Sequence, residues 1–441
     1  MGEKILELIK RRANEFLEKS KDKEVYVVSH FDTDGITSAS IIINSLKRLD
    51  KKFSVKIIKS LDKKFIDTLP KDKLILFLDL ASSLLDYISQ LEFENVFVID
   101  HHKIGEVPEN IYVINSELFD EQKISASGLT YLFCKEINSR NREFAKLAIL
   151  GMIGDRLESE IDKLNNGILN DGEIKRKRGL LIYPSTRPLN RTLEFCSNPY
   201  IPNVTGNIKG VLELLRESGL QPINGKYPSI IELNDDEMQR LVTSIILRNS
   251  EINEEGILGD IFLIKLFNKL EDARELSAIV NACSRFGESG VALQFCMEIS
   301  KARKKAESIH AKYKQGLIAG LKFATNVEKI QGNGYVIING GEEIKDVMAG
   351  TIASILSSSN TYEVGTIVIV LSYVEDKIKV SVRIVGNNGR DLHKFLEPIV
   401  EVVGGEVGGH ANAAGCNISI EKESEFIELL KKNLEIELVR V

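Results

Sequence analysis

The chain has 441 residues, 43% of them hydrophobic and 28% charged, with a formal net charge of −6. That length is too great for one hydrophobic core and implies two or three domains, and the negative balance excludes a protein that coats nucleic acid by bulk charge alone. No apolar run approaches the roughly 20 residues a membrane helix needs, so no membrane partner is expected.

The N-terminal stretch MGEKILELIKRRANEFLEKSK is charged and amphipathic, without the apolar core of a signal peptide, and reads as a helix lying on the first domain. From Glu24 to about Arg156, the strand-like runs VYVVSH, FSVKIIKS, KLILFLDL, VFVIDHH and IYVIN come first. The helical runs ITSASIIINSLKRL, ASSLLDYISQL, SASGLTYLFCKEI and REFAKLAILGMIG lie between and after them. Several strand runs are apolar without alternation, as in a sheet covered on both faces. Strand–helix–strand repetition implies right-handed crossovers and hence an α/β domain with a doubly wound, mostly parallel sheet over residues 1–185. The proline-bearing stretch 183–207 reads as an ordered, irregular crossing out of that domain.

Residues 186–300 form a mainly helical inserted region, with Asn234 placed to cap the helix in NDDEMQRLVTSIILRNS. A charged connector helix follows over 301–325. Strand signals return in GYVIING, GTIVIVLSY and KIKVSVRIV, with a helix at VMAGTIASILSS, so residues 326–441 make a smaller α+β domain. Cys134, Cys196, Cys283, Cys296 and Cys416 stand singly, which argues against a zinc site or disulfide framework and for a reducing cytoplasm. They read as core fillers, and His310 and His393 as surface or packing residues. The runs KRKR (175–178) and KARKK (301–305) read first as solvated charge, with pieces of a basic groove as the alternative.

Three strand runs end in metal-binding side chains: VYVVSHFDTD, LILFLD and VFVIDHH. The ends of parallel strands share one edge of the sheet, where open α/β folds bind their ligands. His30, Asp32, Asp34, Asp79, Asp100, His101 and His102 are therefore expected to converge, with Asp155 joining them from the helix end in AILGMIGDR. Clustered carboxylates cannot all stay ionised and unpaired, and a pair of divalent cations removes the conflict. Oxygen donors with one or two imidazoles suit manganese or magnesium better than zinc. Two such cations are the usual device for hydrolysing phosphate esters. A lone DxDG is commonly a turn or a calcium-loop fragment, and a lone DHH can be a helix cap with a packed histidine. The constellation carries the signal.

The segments HFDTDG (30–35), FLDLASS around Asp79, DHH (100–102) and GMIGD (151–155) resemble the motifs of the DHH phosphoesterases. GGEVGGHANAAG (404–415), preceded by SVR (381–383), resembles the DHHA1 accessory domain of one branch. TRPLNRTLEFCSNPYIPNVTGN and DARELSAIVNACSRFG are similar to the middle region of archaeal RecJ-like nucleases. The resemblance implies that His30 and Asp32 hold one cation and that Asp34, His101 and Asp155 hold the other, with Asp79 bridging. It also implies that Asp100 orients a neighbouring imidazole and that His102 reaches the phosphate. The glycine-rich stretch is by itself a flexible loop. Beside the upstream motifs it reads as an anion-binding segment, in which Gly408 and Gly409 admit a phosphate to the backbone and His410 and Arg383 add charge-assisted bonds. Ala411 stands where many relatives carry proline.

If DARELSAIVNACSRFG is a helix, Arg274, Asn281 and Arg285 fall within roughly 20° of one direction and could track a sugar–phosphate backbone. A solvated or interdomain face is the plainer reading, and Arg187 is a similar outlying candidate. The function implied is a metal-dependent, single-strand-specific DNA or RNA exonuclease of repair or replication, using two divalent cations, Mn2+ before Mg2+. Its substrate would lie between the first and last domains. The alternatives are hydrolysis of short oligonucleotides or small nucleotides, and a replication scaffold that binds the GINS complex.

Overall fold

The computed structural model describes residues 3–119, 123–159, 161–197, 199–249, 254–359, 361–386 and 390–438. They fall into two compact units, one of residues 1–179 with 259–310 and one of residues 180–258 with 311–441.

In the first unit, β1 (Val25–His30), β2 (Phe53–Ile58), β3 (Leu74–Leu78), β4 (Asn95–Asp100) and β5 (Ile111–Asn115) form a sheet. Its order is β2-β1-β3-β4-β5, and every pairing is parallel. Both faces are covered. Leu74, Leu76 and Leu78 of β3 enter a core with Ile36, Leu129 and Leu147 from the helices Thr33–Arg48, Ala126–Ile137 and Ala145–Gly154. Ile75 and Phe77 enter a second core with Ile66, Leu85 and Ile88. Burial on two sides removes the period-two pattern, which is why LILFL reads as a continuous apolar run. The doubly wound sheet matches expectation.

A second sheet, ordered β6-β7-β8, comprises β6 (Lys175–Leu180), β7 (Leu258–Leu266) and β8 (Lys269–Asp272). The KRKR run is its edge strand β6, with Arg176 ion-paired to Asp260, and a charged edge discourages pairing with another chain.

The expectation of one inserted region over 186–300 is corrected here. Residues 180–258 group with the second unit and 259–310 with the first. The chain re-enters the first core at Phe262, Ile264 and Leu266. The helix Ala273–Arg285 then adds Leu276, Ile279, Val280 and Cys283 to it. A helical apolar period shows that a face is buried but not which core buries it. The charged helix expected over 301–325 is present as Ser300–Asn326.

The second unit carries the helix Asp235–Ile246, capped by Asn234 in a reciprocal box with Glu237. It also carries β9 (Ile330–Gly332), β10 (Tyr335–Asn339), β11 (Ile367–Val374), β12 (Lys377–Ile384), β13 (Gly405–His410) and β14 (Ala413–Ser419). The sheet order is β13-β14-β12-β11-β10-β9, with β10 and β11 parallel and the other pairs antiparallel. The helices Leu392–Val403 and Glu423–Leu438 close its core, which gives the α+β arrangement expected. All five cysteines are free and buried. Among the described residues, no helix is long and apolar enough to cross a membrane.

Candidate metal centre

The strand order reverses between β1 and β3, and the crevice beyond the C-terminal ends of those strands is where such sheets take a ligand. His30 is the last residue of β1, Asp79 follows β3 directly, and Asp100 closes β4. Asp32 caps the helix Thr33–Arg48 by accepting the Gly35 N–H at 3.0 Å, and Asp34 lies in its first turn. Asp155 ends the buried helix Ala145–Gly154.

All six proposed ligands meet. Among the described residues, three overlapping sets have donor atoms within 4.8 Å of one another: His30–Asp32–Asp79, Asp34–His101–Asp155 and Asp79–His101–His102. His30 Nδ1 lies 3.0 Å from Asp32 Oδ2 and 3.3 Å from Asp79 Oδ2. His101 Nε2 lies 3.4 Å from Asp79 Oδ1, 3.3 Å from Asp155 Oδ2 and 4.0 Å from Asp34 Oδ2. Asp79 therefore faces one imidazole with each oxygen, the geometry a bridging carboxylate needs. Its backbone φ of +58° is uncommon for a residue other than glycine and turns the carboxylate to the crevice, at a cost of about 1–3 kcal/mol.

The donors fit divalent cations. His30 Nδ1, both Asp79 carboxylate oxygens and Asp155 Oδ2 are buried without a well-formed hydrogen bond, and grouped in one crevice they leave the donor positions that bound cations would complete. Burial, followed by the charges of Asp34, Asp79 and Asp32, pushes the Asp155 carboxyl up to about 11. Burial raises Asp79 to about 6, against the bonds from His101 and His30. Burial disfavours the charged His30 ring, but Asp32 and Asp79 outweigh it and raise the ring to about 10. His101 rises to about 9 by the same balance, through Asp79, Asp34 and Asp100. Protons hold together what cations would otherwise hold.

Asp100 stands behind this shell. Its Oδ1 accepts His102 Nδ1–H at 2.7 Å and the backbone N–H groups of His101 and His102 at 2.8 and 3.3 Å. Its Oδ2 accepts the Ser82 N–H at 3.1 Å. Burial would raise this carboxyl, but the His102 and Ser82 bonds outweigh it and lower it to about 2. The His102 ring is 59% exposed and is raised by the Asp100 bond. It is oriented from within and open on its outer side.

Several supports escaped the sequence reading. Asp34 Oδ2 accepts the Ala126 N–H at 2.7 Å and Oδ1 the Ser127 N–H at 3.0 Å, so the N-terminus of the helix Ala126–Ile137 grips the carboxylate. The Ser125 cap before an apolar run was the available signal. Gly151 makes room for this: a Cβ there would lie 2.0 Å from Ser127 Oγ and 2.3 Å from Asp34 Oδ1. Thr33 Oγ1 donates to the Ser277 carbonyl at 3.2 Å and ties the first motif to the helix Ala273–Arg285.

The helix Ala273–Arg285 presents Arg274, Ala278, Asn281 and Arg285 as its half-buried stripe, the other positions being buried. Arg274 is ion-paired with Glu158 at 3.3 Å, and Arg285 Nε donates to Asn281 Oδ1 at 3.2 Å. In the second unit, the glycine-rich segment is not a loop. It is the hairpin β13–β14, with β13 at the sheet edge. Gly409 takes φ +116°, and a Cβ there would lie 2.4 Å from the Ala413 carbonyl oxygen, whereas Gly408 faces open space. Arg383 pairs in register with Ala413, as does His410, so these converge at one end of the sheet. The Arg383 Nε donates to Ser354 Oγ at 2.9 Å. The His410 side chain lies outside the described residues, and Arg187 sits exposed in the turn before the helix Leu189–Glu194.

Comparison with known proteins matches residues 24–152 to the DHH family N-terminal domain, 182–256 to the DHH-CID domain and 333–435 to the DHHA1 domain. An uncharacterized protein of Methanocaldococcus jannaschii is 29% identical over 92% of this chain and 91% of its own length. A putative prophage-derived single-strand DNA-specific exonuclease of Bacillus subtilis is 30% identical, over 36% of this chain and 30% of its own length. Exonuclease RecJ bound to manganese superposes over 98% of this chain and 94% of its own, with a TM-score of 0.61 at 17% identity. CDC45 from Entamoeba histolytica superposes over 97% and 99%, with a TM-score of 0.73 at 11% identity.

Proposed function

As a member of the DHH family that carries DHH-CID and DHHA1 domains, this chain, we propose, is a RecJ-like exonuclease that hydrolyses single-stranded DNA or RNA to mononucleotides in repair or replication. The observation that carries the reading is the meeting of His30, Asp32, Asp34, Asp79, His101 and Asp155 in two adjacent donor sets, with Asp79 of the first set 3.4 Å from His101 of the second. Two divalent cations held there, Mn2+ before Mg2+ for this donor set, would supply an activated water and neutralise charge at phosphorus. The chain's own groups do the rest. Asp34 stays fixed by two N–H groups, and Asp79 is turned inward by its backbone. Asp100 holds His102 Nδ1–H so that Nε2 faces outward, placed to meet the scissile phosphate or the departing oxygen.

The narrower substrate assignment draws on the Bacillus subtilis relative, whose name specifies single-strand DNA. In this reading Arg383 and the β13 edge bind the terminal phosphate, and Arg274, Asn281, Arg285 and Arg187 contact the strand's backbone. Digestion of end-labelled single-stranded DNA, single-stranded RNA and duplex with Mn2+, beside Asp79→Ala, tests it. Release of mononucleotides from single strands alone, abolished in the variant, is the expected result. Turnover confined to dinucleotides or other small nucleotides would move the assignment to the phosphodiesterase alternative. A second reading, carried by the shared fold with CDC45 alone, is a replication scaffold, with the GINS complex as the candidate partner. Binding of GINS by a chain that cleaves nothing would establish it instead.

A further inference from the structure

Asn115 ends β5 in register with Asp100 of β4 and is fully buried. An apolar side chain would suit a sheet core there, yet the carboxamide uses every polar atom. Its Nδ2 donates to Ser82 Oγ at 3.0 Å and to the His102 backbone carbonyl at 2.9 Å, while Oδ1 accepts the Glu117 N–H at 2.9 Å. Because a backbone N–H claims Oδ1 and a backbone carbonyl claims Nδ2, the amide cannot flip without losing both of those bonds. Ser82, also buried, passes the restraint on, for its N–H donates to Asp100 Oδ2. His102 is the second residue of a segment, 101–110, that carries no helix or strand, so no ladder holds it. It is gripped instead at three points: its N–H and Nδ1 by Asp100, and its carbonyl by Asn115.

We infer that Asn115, together with Ser82, is a positioning residue that sets the direction of the His102 imidazole by fixing the His102 peptide. The inference rests on the nuclease reading for its kinetic test, but its structural core does not. With the full chain, Mn2+ and end-labelled single-stranded DNA, Asn115→Ala is expected to lower kcat by about 10–100-fold, the range for groups that orient a reacting side chain. KM and Mn2+ affinity, the latter by calorimetry, are expected to stay within about twofold. A double-mutant cycle supplies the discriminating readout: in a His102→Ala background, Asn115→Ala adds no further loss. Ser82→Ala removes the hydroxyl that accepts from Asn115 and also stabilises the Asp100 carboxylate, leaves the N–H bond to Asp100 and gives a smaller loss of the same kind, should Asn115→Ala fail to fold.

Additive losses in the cycle, or Mn2+ affinity falling in step with kcat, would overturn the inference, since the residue would then serve the fold or His101. Imidazole 15N–1H spectra test it without substrate. The His102 Nδ1–H resonance is expected to be sharp in the wild type and broadened by exchange in either variant; an unchanged resonance also overturns the inference. A wild-type chain that turns over no substrate would defeat the nuclease reading alone and leave the spectra to judge the positioning role.

Discussion

The metal cluster of the first unit and the glycine hairpin of the second solve opposite problems. In the first, acids and imidazoles from distant places in the chain are crowded under burial, and rigid strand ends must hold like charges together. In the second, one contiguous stretch with hardly any charge forms a hairpin whose glycines leave its backbone bare, with Arg383 on the neighbouring β12. The cluster depends on side-chain identity and the hairpin on the absence of side chains. Substitutions in the two regions should therefore fail in different ways: loss of turnover and metal from one, loss of substrate affinity from the other.

Asp79→Ala is the harshest test of that division. It removes the one carboxylate shared between donor sets, and turnover is expected to fall by about 10³-fold or more, the scale seen when residues act as a unit. Calorimetry should show weaker Mn2+ binding in parallel; retained stoichiometry and affinity would break the bridging assignment.

Gly151→Ala comes next. Its methyl group meets Ser127 Oγ and Asp34 Oδ1, so a stability loss of about 1–3 kcal/mol is expected from overpacking, together with weaker Mn2+ binding. Denaturant unfolding and calorimetry read the two effects separately.

Arg383→Ala should leave Mn2+ affinity untouched while raising KM by about 10–100-fold, the value of one charge-assisted bond. A fall in kcat at constant KM would erase the contrast between the regions.

The pH dependence of stability in EDTA tests the same cluster without substrate. Asp79, Asp155, His30 and His101 all hold their protons to higher pH in the metal-free fold than in the unfolded chain. The native state thus binds more protons, and stability must fall as pH rises. For the acids the loss starts near their ordinary 3.8; for the imidazoles it runs from 6.5 to about 10. A drop in Tm of roughly 2–4 °C per kcal/mol lost is the scale for a unit of this size. Mn2+ should reverse the trend, because its affinity rises as those protons leave. A flat EDTA profile between pH 6 and 10 would show that the cluster is not protonated as described.

Much of this site was legible in one dimension. The strand ends announced His30, Asp79 and Asp100 because parallel strands put their C-termini on one edge. Asp34 was legible as a candidate but not as a residue gripped by the helix Ala126–Ile137, since that contact spans 92 positions. Asn115 gave no signal at all: an asparagine after IYVI looks like the turn that ends a strand. The helix Ala273–Arg285 declares its outward stripe by spacing but not the core that buries its other face.

Residue order alone determined which chemistry the first unit can host, because donor type and strand periodicity are local properties of the chain. Tertiary structure decided what those donors face. The positive-φ turn at Asp79, the return of residues 259–310 into the first core and the buried Asn115–Ser82–Asp100 network are long-range outcomes of packing. Their energies depend on neighbours far along the chain, and no local window contains them.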